Sequence, residues 1–273
     1  MKLAISNIAW PHTEEEAVAD VMHGLEVHGV EVAPTKMWPR PLETPAAELT
    51  RYRRFWERRG IAIVGMQALL FGRPDLVLFG DPTKRQETLD YLVGMTDVAA
   101  GLGARVLVFG SPANRRAGTL ASGEVQEIAL EFFGAVGRAA AERGVALCIE
   151  PNPVEYGCDF ITDAAQALDF VRRVDSPGIG LHLDAGAMTL SGERIDALLE
   201  AGLPWLRHFH VSEPYLVQIG AGGADHHGFG RALARSGYSA WVSIEMRAQE
   251  PYTPASVEAA LRTALDAYDL PPA

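Results

Sequence analysis

The chain has 273 residues, 48% of them apolar, with 24 Lys and Arg against 35 Asp and Glu and a formal net charge of −11. That acidic balance excludes the basic stripe on which DNA or RNA binding depends, so no nucleic-acid partner is expected. The two cysteines, Cys148 and Cys158, are too few for a disulfide scaffold and are expected to be reduced.

The opening run "LAISNIAW" (3–10) is predicted to be a strand, and "TEEEAVADVMHGLEVHG" a helix with Thr13 and Glu16 spaced as a capping box. "GVEVAP" is the next strand, "AAELTRYRRFWERRG" a helix ending in glycine, and "IAIVGMQAL" a third strand. A helix from Lys84 to Leu102 leads to "ARVLVFG", and one from Glu124 to Arg143 leads to "VALCIEP". Then follow "DAAQALDFVRRV" and "GIGLHLD", "RIDALLEAG" and "WLRHFHVS", "GRALARSGY" and "AWVSIEM", and a last helix from Pro254 to Tyr268. Eight strand-like runs, each followed by a helix, imply a parallel sheet, and eight such units close into an α/β fold of the (β/α)8 TIM barrel type. An open doubly wound sheet would show a glycine-rich phosphate loop after an early strand, and "LAISNIAWPH" has none. No composition break marks a linker, so one domain over residues 1–273 is expected. No window approaches 18 consecutive apolar residues, and the N-terminal apolar run is too short for a signal peptide. The expectation is a soluble, cytoplasmic chain with no membrane partner.

In a barrel of this kind the chemistry sits at the C-terminal ends of the strands. Run five ends in Glu150, run six in Asp184, run seven in His210 and run eight in Glu245. Taken singly, each has a bland reading: a solvated or salt-bridged acid, or a hydrogen-bonded core histidine. Together they are three carboxylates and one imidazole at one level on four adjacent staves. Such an oxygen-rich pocket suits one divalent cation, Mn²⁺, Mg²⁺ or Co²⁺, with Zn²⁺ as a further option. Without a cation, three carboxylates so close would repel one another.

"GYSAWVSIE" (237–245), "CIEPNP", "GLHLDAG" and "HFHVSEP" resemble the metal-bearing strand ends of the xylose isomerase-like barrel superfamily. Gly220, Gly222 and Asp225 fit its G-x-G-x-x-D loop, twelve residues before the glycine of "GY". The resemblance covers nearly the whole chain. It implies Glu150, Asp184, His210 and Glu245 as metal ligands, with Glu150 and Glu245 also as the base and acid of a ketose epimerase. There, a proton leaves the carbon next to a carbonyl and returns across a metal-stabilised cis-enediolate. It also implies a homodimer or homotetramer. Two positions depart from the epimerase pattern: Ala187 stands where a substrate-binding His is expected, and Leu216 where an Arg is expected.

Candidates to grip substrate instead are Gln67, near the end of the third strand, and Asn152, with Glu155 beside it on the loop after Glu150. His182 and His208 lie two residues before Asp184 and His210, so alternation aims them to the same side, about 6.6 Å deeper. They contact substrate, orient a ligand, or are satisfied core histidines. Trp10, Trp38 and Phe71 form an apolar wall or pack in the core, and His226 and His227 are expected on a solvated loop. Arg247, two residues after Glu245, either pairs with Glu213 or Glu250 or holds an anionic or hydroxyl-rich part of the substrate. The sequence therefore predicts a metal-dependent isomerase or epimerase of a sugar or other polyhydroxylated carbonyl compound, a small-molecule carbohydrate-like substrate. The alternatives are a metal-dependent lyase or dehydratase of a keto-polyol, similar to inosose dehydratases, and a barrel that binds without catalysing. An endonuclease IV-type nuclease is disfavoured by the acidic surface and by the fewer metal ligands.

Overall fold

Short β-branched runs cannot bury both faces alone, and the eight runs read as strands solve this by closing on one another. In the computed structural model, which describes residues 1–270, β1 (Lys2–Ser6), β2 (Gly29–Val32), β3 (Ala62–Met66), β4 (Val106–Phe109), β5 (Ala146–Ile149), β6 (Ile179–Asp184), β7 (Leu206–Ser212) and β8 (Trp241–Glu245) pair in sequence order, and β8 pairs back onto β1. All eight ladders are parallel. The helices are α1 (Glu15–Gly24), a single turn α2 (Pro34–Met37), α3 (Ala46–Glu57), α4 (Pro82–Leu102), α5 (Ser122–Glu142), α6 (Ala164–Val174), α7 (Ala185–Ser191), α8 (Ile195–Gly202), α9 (His226–Ser236) and α10 (Pro254–Ala267). This is a single (β/α)8 TIM barrel.

Several boundaries differ from those the sequence predicts, each for a local reason. The first strand stops at Ser6, whose Oγ accepts from the Ile8 N–H and starts a 3-10 turn over Asn7–Ala9. The capping box on Thr13 and Glu16 does not form: a second 3-10 turn, His12–Glu14, takes Thr13 into its middle and puts Glu14 at the α1 N-cap. α9 starts at His226, four residues before the predicted start, because Asp225 caps it by accepting from the Gly228 N–H at 2.8 Å.

Strand alternation divides the apolar from the functional residues. Ile5, Val30, Ile149, Leu183, Phe209, Val211, Val242 and Ile244 are buried in the main apolar core. The alternate residues, facing the barrel axis, include Ala4, Ser6, Gly29, Glu31, Gly65, Cys148, His182, His208 and Ser243, all small or polar. Gly29 is required low in the barrel, where a Cβ would lie 2.6 Å from the Trp241 ring. Register shifts occur between Val30 and Glu31 in the β2–β3 ladder and between Leu181 and His182 in the β6–β7 ladder. Such bulges re-aim side chains beside active sites, and both lie directly under the residues described next. Both cysteines are buried and free. Among the described residues no helix is long and apolar enough to cross a membrane.

Candidate active site

Parallel pairing brings the ends of β5 to β8 to one height. Glu150 immediately follows β5, Asp184 ends β6 and faces His210 on β7, and Glu245 ends β8 beside Ser212. His210 Nδ1 lies 3.2 Å from Glu245 Oε2, 3.8 Å from Asp184 Oδ2 and 3.9 Å from Glu150 Oε1. Asp184 is held in place from two sides. Its Oδ1 accepts from the Ala187 N–H at 2.6 Å, capping α7, and its Oδ2 accepts from Ser212 Oγ at 2.5 Å.

Crowding shows in the acidities. Burial and the nearby Glu245 and Asp184 push the Glu150 carboxyl up to about 8, against the opposing pull of His210 and Arg115. Burial and Glu245 push Asp184 up to about 6. His210 is lowered by burial, but Glu31 and Glu245 outweigh this and raise it well above its ordinary value. These groups therefore hold protons that a cation would displace. Among the described residues Nδ1 of His210 has no hydrogen-bond partner although it is fully buried. Three carboxylates with oxygens 3.2 to 3.9 Å from one buried imidazole nitrogen fit a divalent cation.

The residue that orients His210 carries no motif and was not singled out in the sequence. Glu31 of β2 is fully buried, and its Oε2 accepts from His210 Nε2 at 3.0 Å and from Ser243 Oγ at 2.8 Å. Its Oε1 lies 3.2 Å from His208 Nε2. Burial alone would raise this carboxyl, yet His210 and His208 hold it well below the usual range. An ionised carboxylate only accepts, so Nε2 of His210 carries a proton, and once the proton on Nδ1 is displaced its lone pair faces the three acids. Gly65 makes room for this arrangement, since a Cβ there would stand 3.2 Å from Glu31 Oε1. The available signal was a carboxylate at an axis-facing position of an apolar strand. Arg115 was likewise missed. It is fully buried with no ion pair among the described residues; its Nη2 donates to the Glu150 carbonyl at 2.7 Å, and its Nε lies 3.3 Å from Cys158 Sγ.

A cavity of about 620 Å³ opens above Glu150, Asp184 and Glu245. Gln67 and Asn152 line it, as the sequence suggests; Gln67 donates to Ser6 Oγ at 2.6 Å and Asn152 to the Glu150 carbonyl at 3.3 Å. Ala187, Leu216, Tyr156 and Tyr215 also line it, and Phe71 stands 75% exposed on its rim. Arg247 lines the mouth and has no ion pair among the described residues. Its predicted partner Glu213 is fully buried and engaged elsewhere, accepting from the Gly220 and Ala224 N–H groups and meeting His226 Nε2 at 3.1 Å. Glu213 thus organises the G-x-G-x-x-D loop from below, and His226 is a buried partner of that loop rather than a solvated residue; His227 is exposed as expected.

Three substrate-contact expectations are corrected. Trp10 does not line the cavity: the 3-10 turn after β1 sends its ring to the helix layer, 6.4 Å from Trp56, under the Lys36 ammonium. His182 and His208 do not line it either, because two residues of strand place them in the layer beneath Asp184 and His210. Trp38 is buried, donating to Glu48 at 2.9 Å, and Glu155 is exposed outside the cavity. His182 is fully buried, its ring 4.2 Å from that of His210, and burial together with its histidine neighbours keeps it well below its ordinary value and so neutral.

The family model described as xylose isomerase-like TIM barrel matches residues 20–267. A curated ketose 3-epimerase of Arthrobacter globiformis is 27% identical over 112 residues, 41% of this chain, and the chain covers 38% of that relative's own length. The barrel superposes on D-psicose 3-epimerase of Clostridium cellulolyticum H10, solved with D-tagatose, with a TM-score of 0.80 at 18% identity, covering 98% of this chain and 99% of that one. It also superposes on the IOLI protein with a bound zinc atom, with a TM-score of 0.76 at 19% identity, covering 98% of each chain. At these identities the structural likeness extends to the fold.

Proposed function

The chain belongs to the xylose isomerase-like TIM barrel family, and from that premise we propose that it is a divalent-cation-dependent isomerase or epimerase of a sugar or similar polyhydroxylated carbonyl compound. One observation carries the reading. Glu150 and Glu245 approach the buried His210 Nδ1 from different strands, at 3.9 and 3.2 Å, on the floor of a solvent-connected cavity. Two carboxylates so placed can work on opposite faces of one carbon. The residues that would hold the cation are Glu150, Asp184, His210 and Glu245. A cation there supplies Lewis acidity toward a carbonyl and its neighbouring hydroxyl and offsets the repulsion among the three acids.

The chain's own groups do the rest. One of the two glutamates takes the proton from the carbon next to the carbonyl, and the other returns a proton from the far face. Asp184 is held in position by the Ala187 N–H and the Ser212 hydroxyl, and Glu31 keeps His210 facing upward. Gln67 and Asn152 sit where hydroxyl groups of a bound sugar would lie, and Arg247 at the mouth can hold an anionic or hydroxyl-rich end. The curated ketose 3-epimerase relative and the fold of D-psicose 3-epimerase support this reading. Ala187 and Leu216 on the cavity wall favour one second reading, a dehydratase, in which the same proton abstraction is followed by loss of a neighbouring hydroxyl.

The test is incubation of the Mn²⁺-loaded protein with a panel of ketoses and keto-inositols in D₂O. Isomerisation incorporates deuterium next to the carbonyl and otherwise conserves mass; dehydration loses water. Glu150→Gln and Glu245→Gln should each lower turnover by roughly 10²- to 10⁴-fold. Undiminished turnover in both variants would refute the two-carboxylate mechanism.

A further inference from the structure

We infer that His182 is a fifth donor of this site, adding a second imidazole nitrogen to the carboxylates, and that it biases the site toward Co²⁺ and Zn²⁺ over Mg²⁺. The inference rests on the reading that a cation sits among Glu150, Asp184, His210 and Glu245.

The observation behind it is a buried ring with nothing to bond. His182 is fully buried, and among the described residues neither of its ring nitrogens has a hydrogen-bond partner. A neutral imidazole carries one N–H donor and one lone pair, and leaving both unmet in the interior is costly enough that native structures rarely do it. Its neighbours along β6, Leu181 and Leu183, are apolar. The carboxylate that engages the other two imidazoles does not satisfy it: of the three rings, Glu31 lies within ion-pair distance of His208 and His210.

The ring is aimed toward the acids. Its Nε2 lies 3.7 Å from Glu150 Oε1, and one donor atom from each of Glu150, His182, Asp184 and His210 falls within 4.8 Å of all the others. Unbroken alternation along β6 puts it on the same side of the strand as Asp184, one pleat below. Atoms of two ligands of one ion stand at about this separation without bonding to each other. The consequence is chemical. Carboxylate and water donors suit Mg²⁺ and Mn²⁺, whereas each added imidazole favours Co²⁺, Zn²⁺ and other later ions. A sequence rule that stops at the strand-end residue misses this, because the donor lies one layer lower.

The test loads the chelated full-length protein, labelled with nitrogen-15 in its histidine rings, with cadmium-113 and counts the ring nitrogens that show scalar coupling to the bound ion. The expected result is two, one of which disappears in His182→Gln. One coupled nitrogen, or a second that survives in His182→Gln, overturns the inference and leaves the cation reading standing. Failure to bind cadmium, Mn²⁺ or Co²⁺ at all overturns the cation reading itself, and the inference with it. Calorimetry gives an independent readout: His182→Gln should weaken Co²⁺ and Zn²⁺ binding by at least about tenfold while Mg²⁺ binding changes by no more than about twofold. An equal loss for all these ions, or no loss for any, also overturns it.

Discussion

Glu31→Gln keeps the size and shape of the side chain and removes one negative charge from beneath His210. In the native protein that charge is fully buried and receives His210 Nε2 at 3.0 Å and Ser243 Oγ at 2.8 Å, with His208 Nε2 at 3.2 Å on its other oxygen. The glutamine amide has one oxygen and one NH₂. Turned with its oxygen toward His210 and Ser243, it presents the NH₂ to His208; turned the other way, it sets two donors against the His210 N–H. In the first orientation the fold is kept, and what is lost is the charge that holds the proton on Nε2 and makes Nδ1 a good donor. Removing a hydrogen-bonded partner of a metal-binding histidine typically costs 10- to 100-fold in affinity, or about 1.4 to 2.8 kcal/mol. Isothermal titration of the chelated protein with Mn²⁺ or Co²⁺ would read this directly, and nitrogen-15 shifts of His210 would report its tautomer in the same samples. Gly65→Ala, which crowds Glu31 Oε1 from the β3 side, should move affinity in the same direction by a smaller factor. Wild-type affinity and an unchanged His210 tautomer in Glu31→Gln would refute the argument.

Chelation should lower the melting temperature, because an ion bound only to the native state stabilises it by roughly 2.7 kcal/mol at about 100 times its dissociation constant; Asp184→Ala should melt alike with and without chelator, as calorimetry would show. Apparent cation affinity should rise with pH. Glu150 at about 8, Asp184 at about 6 and the raised His210 all hold protons that the ion must displace, so binding should weaken by about tenfold per pH unit for each proton released, and a flat profile between pH 6 and 8 would contradict the assignment. In the chelated protein the sign for stability follows. A folded carboxyl raised from 4.5 to about 8 binds more protons than the unfolded one, so its contribution should fall as pH climbs through that window, a trend visible in chemical denaturation series. Arg247→Ala should raise KM at least about tenfold, about 1.4 kcal/mol of binding, with melting temperature and metal content unchanged; a lower melting temperature with unaltered kinetics would make Arg247 structural.

Much of this protein could be read along its chain. Runs such as "VALCIE" and "AWVSIE" carry a period of two and end in acids, and that information is local: each residue's neighbours define the strand, and the strand's end defines the height. Once eight βα units close, topology alone brings Glu150, Asp184, His210 and Glu245 to one level. What local pattern could not decide was depth and direction across the barrel. Trp10 follows β1 as directly as a mouth residue would, but a 3-10 turn folds it outward. His182 and His208 share the side of Asp184 and His210, but one pleat lower they belong to the interior layer, and only the tertiary structure shows that, among the described residues, both ring nitrogens of the first lack a hydrogen-bond partner while Nε2 of the second lies 3.2 Å from Glu31. Glu31 itself is 179 positions from His210 and 212 from Ser243. Nothing in "GVEV" distinguishes a carboxylate that escapes to solvent from one that crosses the barrel to orient a histidine. Closure of the sheet decides it, by removing water from the axis and leaving His210, His208 and Ser243 as the groups that Glu31 meets there.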